Sequence, residues 1–480
     1  MTTYSGSLRG KLLSGGVLLA GREAAGVFLS LIAVTIVFRR VDPSEYALVG
    51  LALTLSGFLA RVGALGVDTY IARYPGSLPD ELAQRLMAVA ICAATCAAAG
   101  MIAAAIPVER ALNIPGAAHV TWAIAAYLWL WIVSRIPVAA LEHGLRFRQL
   151  ALAELSSLIV YTVLAVALAL AGASAWSIVV ATVAQGATVF ALAFATNPIR
   201  PRFDFVNDQV GRALAFGLPY QLSVWLWSTR DLVGPFVVGW LLGAKELGLL
   251  AGAALMASRA AFIRPIVWRV SIAGFGKIQD DPRRLRQAVS AGMTYQLLAL
   301  GLTFTGFALL APWVVPLAVG EAWGDVAVLF PLLAIGLLAN AVFTLHCSSL
   351  FARGAVREMT LFHLVHVATL AMAAFALVDR WGLIGYGMAE IVALWTYVLP
   401  HLFFTRLIGA VAYSVPLTIG GLTIMTLATI ALGGVVLGSV IAALAIGALT
   451  SVRTVRTSVS RAAVALRRPA AMPTAEVPAR

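Results

Sequence analysis

Long apolar runs separated by short polar breaks recur along the whole chain, and most have the length of a membrane crossing rather than of a core helix. In order, the runs are 12–38, 46–72, 86–106, 119–140, 151–170 and 176–196. After a polar linker at 197–212 they continue as 213–242, 248–275, 289–316, 326–351, 360–378, 384–404, 408–431 and 434–449. The pattern predicts an all-α polytopic membrane protein with about 14 transmembrane helices.

Composition agrees, with 61% hydrophobic and only 11% charged residues. The net charge of +13 would suggest nucleic acid in a soluble protein, but topology accounts for it here. Of the 34 lysines and arginines, twenty-two fall on alternate loops and both tails, five on the opposite loops and seven within spans. That asymmetry places the N- and C-termini in the cytoplasm. Cys92, Cys96 and Cys347 all lie inside apolar runs and supply neither a disulfide framework nor a metal-ligand set.

The linker separates two comparable halves. The turn 42–48 between spans one and two resembles 243–249 between spans seven and eight, with Glu45 and Glu246 in register. Arg61 then falls within one turn of Arg259. Such a repeat is the signature of a transporter whose substrate site alternates in access between two bundles. The expected organisation is an N-terminal lobe at 1–200, a pseudo-symmetric C-terminal lobe at 201–406, two additional spans at 407–450 and a basic, disordered tail at 451–480 resting on anionic lipid.

Charges inside the spans are the candidate chemistry. Arg22 lies about 15 Å into the first run, near the bilayer midplane, where a charge costs at least ~2.5 kcal/mol and by default marks a polar cavity. It shares a helix side with Gly15, Gly26 and Ser30. Arg61 and Arg264 lie close to the same level and Arg259 slightly deeper, so the cavity is expected to take an anion. Arg259, Arg264 and Arg269 are five apart and cannot form one stripe; Arg259 is assigned to the cavity, Arg264 is left open, and Arg269 and Arg135 are expected to snorkel to headgroups.

The carboxylates Glu23, Asp68, Asp231 and Glu390 read either as a proton or sodium coupling site or as countercharges for Arg22, Arg61 or Arg230. Neighbours such as Arg230 and Asp231 point about 100° apart, so each needs a partner on another helix. Span seven adds Tyr220, Gln221, Trp225, Trp227 and Arg230, with Trp225 deep enough to stack on a sugar ring or to pack against a helix. His363 and His366 share a face but lack a third ligand in the sequence pattern, and no Walker loop is present. Neither a metal nor an organic cofactor is expected.

The runs 139–151 and 171–179, and the turn 42–46 followed by Gly66-Val67-Asp68, resemble the polysaccharide-transporter (Wzx-like oligosaccharide flippase) branch of the multidrug/oligosaccharidyl-lipid/polysaccharide (MOP) superfamily. The resemblance implies a non-enzymatic flippase that moves an undecaprenyl-pyrophosphate-linked oligosaccharide across the bacterial inner membrane by alternating access. Its partners would be the lipid-linked glycan, anionic lipids and polysaccharide polymerase machinery, with no nucleic acid. Related flippases carry cavity arginines on the first, second and eighth spans, which here hold Arg22, Arg61 and Arg259; these would contact pyrophosphate or acidic sugars. No lone acidic residue on span one or seven reproduces the cation site of drug-exporting relatives, so energy coupling stays open. A peptidoglycan-precursor flippase and a drug/cation antiporter are the alternatives within the superfamily. A membrane polysaccharide polymerase or ligase would need a larger outward surface than the short loops, the longest at 107–118, provide.

Overall fold

The computed structural model describes residues 25–451, apart from 27, 73, 206 and 207. Arg22 and Glu23 therefore lie outside the described residues, as does the expected tail from 452 onward. Among the described residues the regular structure is helical throughout. The first helices are α1 (Phe28–Phe38), α2 (Pro43–Gly63), α3 (Val67–Ala72), α4 (Asp80–Leu112), α5 (Ala117–His143), α6 (Phe147–Leu170) and α7 (Ala175–Thr196). They are followed by α8 (Asp208–Leu241), α9 (Ala244–Ala260), α10 (Ile263–Ile278), α11 (Pro282–Val319), α12 (Val326–Ala352), α13 (Val356–Ala393), α14 (Val398–Leu407) and α15 (Ser414–Ser451).

Nine helical stretches among the described residues are long and apolar enough to cross a membrane. Two of these, Val356–Leu407 and Ser414–Leu449, contain breaks. The backbone leaves helical geometry at Trp381 and Gly382 in the first and at Gly434 in the second, between the eleventh and twelfth and the thirteenth and fourteenth expected spans. α8 is long but interrupted by charge, while α9 and α10 are 17 and 16 residues long. For that reason the seventh and eighth expected spans do not stand out by apolarity.

The chain divides into two compact units. One comprises Met1–Arg259, Ala311–Phe330 and Val356–Thr396; the other comprises Ala260–Leu310, Pro331–Ala355 and Tyr397–Arg480. Pro312 and Pro331 stand beside two of the crossings between units, where each removes a backbone N–H from its helix.

In the first unit, α2 begins on Asp42-Pro43, a rigid start reinforced by Glu45, whose Oε2 accepts the Asp42 N–H at 3.3 Å. The end of α1 is held by Trp323: its ring stacks on Phe38 with centroids 4.5 Å apart, and its indole N–H donates to the Phe38 carbonyl at 3.0 Å. Arg39 donates to the Leu317 and Ala318 carbonyls, placing a cation at the negative end of α11. The linker is pinned rather than loose. Arg85, with only 8% of its side chain exposed, bridges Glu81 at 3.1 Å and Asp204 at 3.3 Å, and the Arg202 N–H donates to the Gln84 carbonyl at 3.0 Å.

The second unit is built on a cluster of Phe275, Leu285, Val289, Met293, Leu345, Phe404, Ile408 and Val411. The turn before α15 is clasped onto it. Arg286 donates to the Ile408 carbonyl and Ser290 to that of Ala412, both at 2.8 Å. The Tyr413 hydroxyl lies 2.6 Å from Nε2 of His346 and 2.8 Å from Nδ1 of His401. Burial pushes this hydroxyl up to about 12, so it stays protonated and donates to one imidazole while accepting from the other. Tyr413→Phe strips both rings of their shared partner and is expected to lower stability by about 1–3 kcal/mol in thermal unfolding of the purified protein; an unchanged midpoint would contradict the clasp.

Candidate functional site

Within the first unit, α2 stops at Gly63 and the chain turns through Leu65 (φ 49°) and Gly66 (φ 73°) before α3. A helix that ends inside a bundle leaves its last carbonyls without intrahelical donors. Two side chains of α8 meet that need. Gln221 and Trp225, one turn apart on the same face, both donate to the Arg61 carbonyl, the indole at 2.9 Å. α8 comes this close because two side chains are missing: a Cβ on Gly66 would lie 2.7 Å from Gly217 Cα, and one on Gly217 would lie 2.3 Å from the Leu65 carbonyl oxygen.

The Arg61 side chain then starts a line of alternating charge. Its Nη1 is 3.1 Å from Asp231 Oδ2, and the other oxygen of Asp231 is 3.8 Å from Arg230 Nη1. Arg230 Nη2 donates to Glu390 Oε2, and Glu390 Oε1 accepts the Tyr386 hydroxyl at 3.0 Å. The indole of Trp227 lies beside Arg230, with the guanidinium carbon 5.6 Å from the ring centroid. Exposure falls along the line, from 44% and 42% for the Arg61 and Asp231 side chains to 17% for Arg230 and 6% for Glu390. Two cations alternate with two anions, so the buried end holds its charge in compensated form. Gly234, one turn beyond Arg230, leaves room for Tyr386; a Cβ there would lie 2.9 Å from the phenol ring.

Arg230 and Asp231 each find a partner on another helix, yet they also approach each other to 3.8 Å. Asp68 is placed elsewhere. Its Oδ2 lies 3.1 Å from Arg135, whose guanidinium is 5.5 Å from the Trp131 ring centroid. This corrects the expectation that Arg135 snorkels to headgroups: a carboxylate within the same unit holds it. Beside that pair, α5, α6 and α7 line a half-open cavity of about 160 Å3, with Arg135, Glu154, Gln185 and Trp131 among its lining residues.

Arg259 stands outside the charge line. It is exposed on the last turn of α9 and has no ion-pair partner among the described residues. Arg264 belongs to the second unit, where it donates to Asn340 Oδ1; the Asn340 amide donates to the Tyr397 hydroxyl at 2.8 Å. The side chains of Tyr220 and Arg269 lie outside what the structure describes. His363 and His366 are engaged in the interior: Nδ1 of His363 is 2.9 Å from the Ser223 carbonyl, and Nδ1 of His366 is 2.7 Å from Thr396 Oγ1.

Sequence reasoning passed over Tyr386. Its one legible signal is a hydroxyl one helical turn before Glu390 on an otherwise apolar stretch. Chemically, the line offers an accessible guanidinium paired with an accessible carboxylate and a largely buried guanidinium paired with a buried one.

Residues 36–328 match the family described as Polysaccharide biosynthesis protein. The chain belongs to this family. Among relatives of the polysaccharide biosynthesis protein, the succinoglycan biosynthesis transport protein ExoT of Rhizobium meliloti (strain 1021) is 25% identical over 362 residues, covering 73% of this chain and 71% of its own length. The amylovoran biosynthesis protein AmsL of Erwinia amylovora is 28% identical over 138 residues, or 28% of this chain and 35% of its own. Among solved structures, the lipid II flippase MurJ in an inward closed conformation superposes with a TM-score of 0.68 at 14% identity, covering 95% of this chain and all of that one. An inward-facing multidrug resistance MATE family transporter of the MOP superfamily superposes at 0.59 with 15% identity, covering 80% and 94%. These likenesses establish the MOP-type fold, and with the apolar helices they make this polysaccharide biosynthesis protein a multi-pass membrane protein.

Proposed function

We propose that the protein is a flippase that carries a lipid-linked oligosaccharide across the bacterial inner membrane by alternating access, without covalent chemistry. Arg61 and Arg259 would bind its anionic phosphate-bearing headgroup. The observation that carries the reading is the pair of accessible arginines, on α2 and α9, within one unit of a chain of the polysaccharide biosynthesis protein family. An intramembrane cation is tolerated where it faces water or an anionic ligand, and a guanidinium suits phosphate oxygens geometrically. The named functions of the relatives support the substrate class: both serve polysaccharide biosynthesis and one is a transport protein. A flipped headgroup would pass to polymerase machinery on the far face. A drug/cation antiporter would favour an acidic site, whereas Asp68, Asp231 and Glu390 each face an arginine.

The test is translocation of undecaprenyl-pyrophosphate-linked oligosaccharide in proteoliposomes, scored by access of an external glycan-modifying enzyme. Arg61→Ala and Arg259→Ala are each expected to slow transport by roughly 10- to 100-fold at normal protein level, the worth of one charge-assisted contact. Wild type that moves no lipid-linked glycan but exports a cationic dye down a proton or sodium gradient would overturn the reading.

A further inference from the structure

We infer that Asp231 is an internal counter-anion that competes with the transported headgroup for Arg61, and that its displacement links anion binding to proton uptake. The inference rests on the flippase reading and adds to it the group that sets affinity and its pH dependence. Asp231 is divided between two guanidiniums, with Oδ2 3.1 Å from Arg61 and Oδ1 3.8 Å from Arg230. Both partners of the Arg61 pair are nearly half-exposed, so solvent screens the contact and an incoming phosphate can exchange for the carboxylate. Asp231 remains beside Arg230 after the exchange. Arg230 cannot turn fully towards it, because the buried Glu390, itself held by Tyr386, is already its partner.

Exchange unbalances the charges. Before binding, the line Arg61, Asp231, Arg230 and Glu390 is neutral. With an anion on Arg61, two carboxylates face one remaining guanidinium, and a new negative charge sits where Asp231 had its closest cation. Like charge at this range favours the neutral acid, so a solvent proton binds a carboxylate oxygen of the displaced Asp231. The surrounding groups do not cancel the effect. On α13 the other facing groups are Tyr386, His363 and His366, the histidines engaged with Ser223 and Thr396. Asp68 of α3 is held by Arg135. The α4 charges lie near the helix ends, where Arg85 pairs with Glu81 and Asp204, and Glu109 accepts the Ala118 N–H. The anion-bound state therefore holds more protons than the free state, so affinity rises as pH falls, by at most about tenfold per pH unit for one proton.

The measurement is titration calorimetry of the full-length protein with a geranyl-pyrophosphate-linked glucose, a pyrophosphate diester with no proton of its own to exchange near neutral pH. Repeating the titration in buffers of different ionisation enthalpy counts protons taken up. Wild type should take up a fraction of a proton, largest at a pH between the titration of Asp231 in the free state and that in the anion-bound state. Asp231→Asn should bind roughly fivefold more tightly, the worth of a screened pair, with its pH dependence and proton uptake lost. Asp379→Asn, an exposed carboxylate outside the line, should keep both. Tightening is a readout that misfolding would not produce. Probe binding that needs Arg61 but is not tightened in Asp231→Asn, or that keeps its pH slope there, overturns this inference alone. No binding to wild type overturns the flippase reading and this inference with it.

Discussion

Glu390→Ala is expected to destabilise the protein by about 3–5 kcal/mol, because it leaves the guanidinium of Arg230 buried without its closest anion. Glu390 is 5% exposed and its carboxylate is fully engaged, with Arg230 on one oxygen and Tyr386 on the other. Asp231, at 3.8 Å and bonded to Arg61, replaces only part of what is lost. The loss belongs to breaking the pair rather than to the pair as such, since two charges withdrawn from water gain little over an apolar pair of similar volume. Arg230→Met combined with Glu390→Leu should therefore recover most of the stability lost in Glu390→Ala. Thermal unfolding of the single and double variants in one detergent checks this. A double variant as unstable as the single one would show that the line is held by shape and not by charge.

Gly217→Ala is expected to cost about 2–4 kcal/mol, a large effect for one methyl group. The new Cβ would lie 2.3 Å from the Leu65 carbonyl oxygen and 3.1 Å from Gly66 Cα, both backbone, so no side chain can swing away to relieve it. α8 would have to retreat from the break between α2 and α3, and Gln221 and Trp225 would lose the Arg61 carbonyl they cap. Stability and transport should fall together, because the backbone that carries Arg61 loses both of its α8 donors. Gly57→Ala on α2 is the comparison. Its Cβ would meet nothing within 4 Å, so helix propensity alone predicts a gain of about 0.5–1 kcal/mol. Equal unfolding midpoints for the two variants would contradict the close approach.

Glu390 and Gly217 differ in how far the sequence announces them. An acidic residue in an apolar run stands out wherever it occurs, so Glu390 and Asp231 are legible as groups that need a partner. Gly217 is one of 42 glycines and is not. Its role depends on a backbone atom more than 150 positions away in the chain, and no local pattern carries that distance. Gln221 and Trp225 fall between these cases. Their polarity deep in a helix is visible, but the sequence leaves Trp225 a sugar ring or a helix packing contact and names no partner for Gln221. In the structure their donors go to a carbonyl exposed by a break in α2.

What the sequence by itself determined is the class of molecule: a helical chain that crosses the membrane repeatedly, with a few charges at depth. The physical reason is local, since lipid leaves every backbone group to find its partner inside its own helix, and a run of about 20 apolar residues suffices to state it. Which charge meets which was decided by the tertiary structure. Asp68 went to Arg135, Asp231 to Arg61 and Glu390 to Arg230, although periodicity and depth allowed other pairings. Ion pairing depends on a few ångströms between helices far apart in the chain, and those ångströms are set by glycines, a helix break and the packing around them.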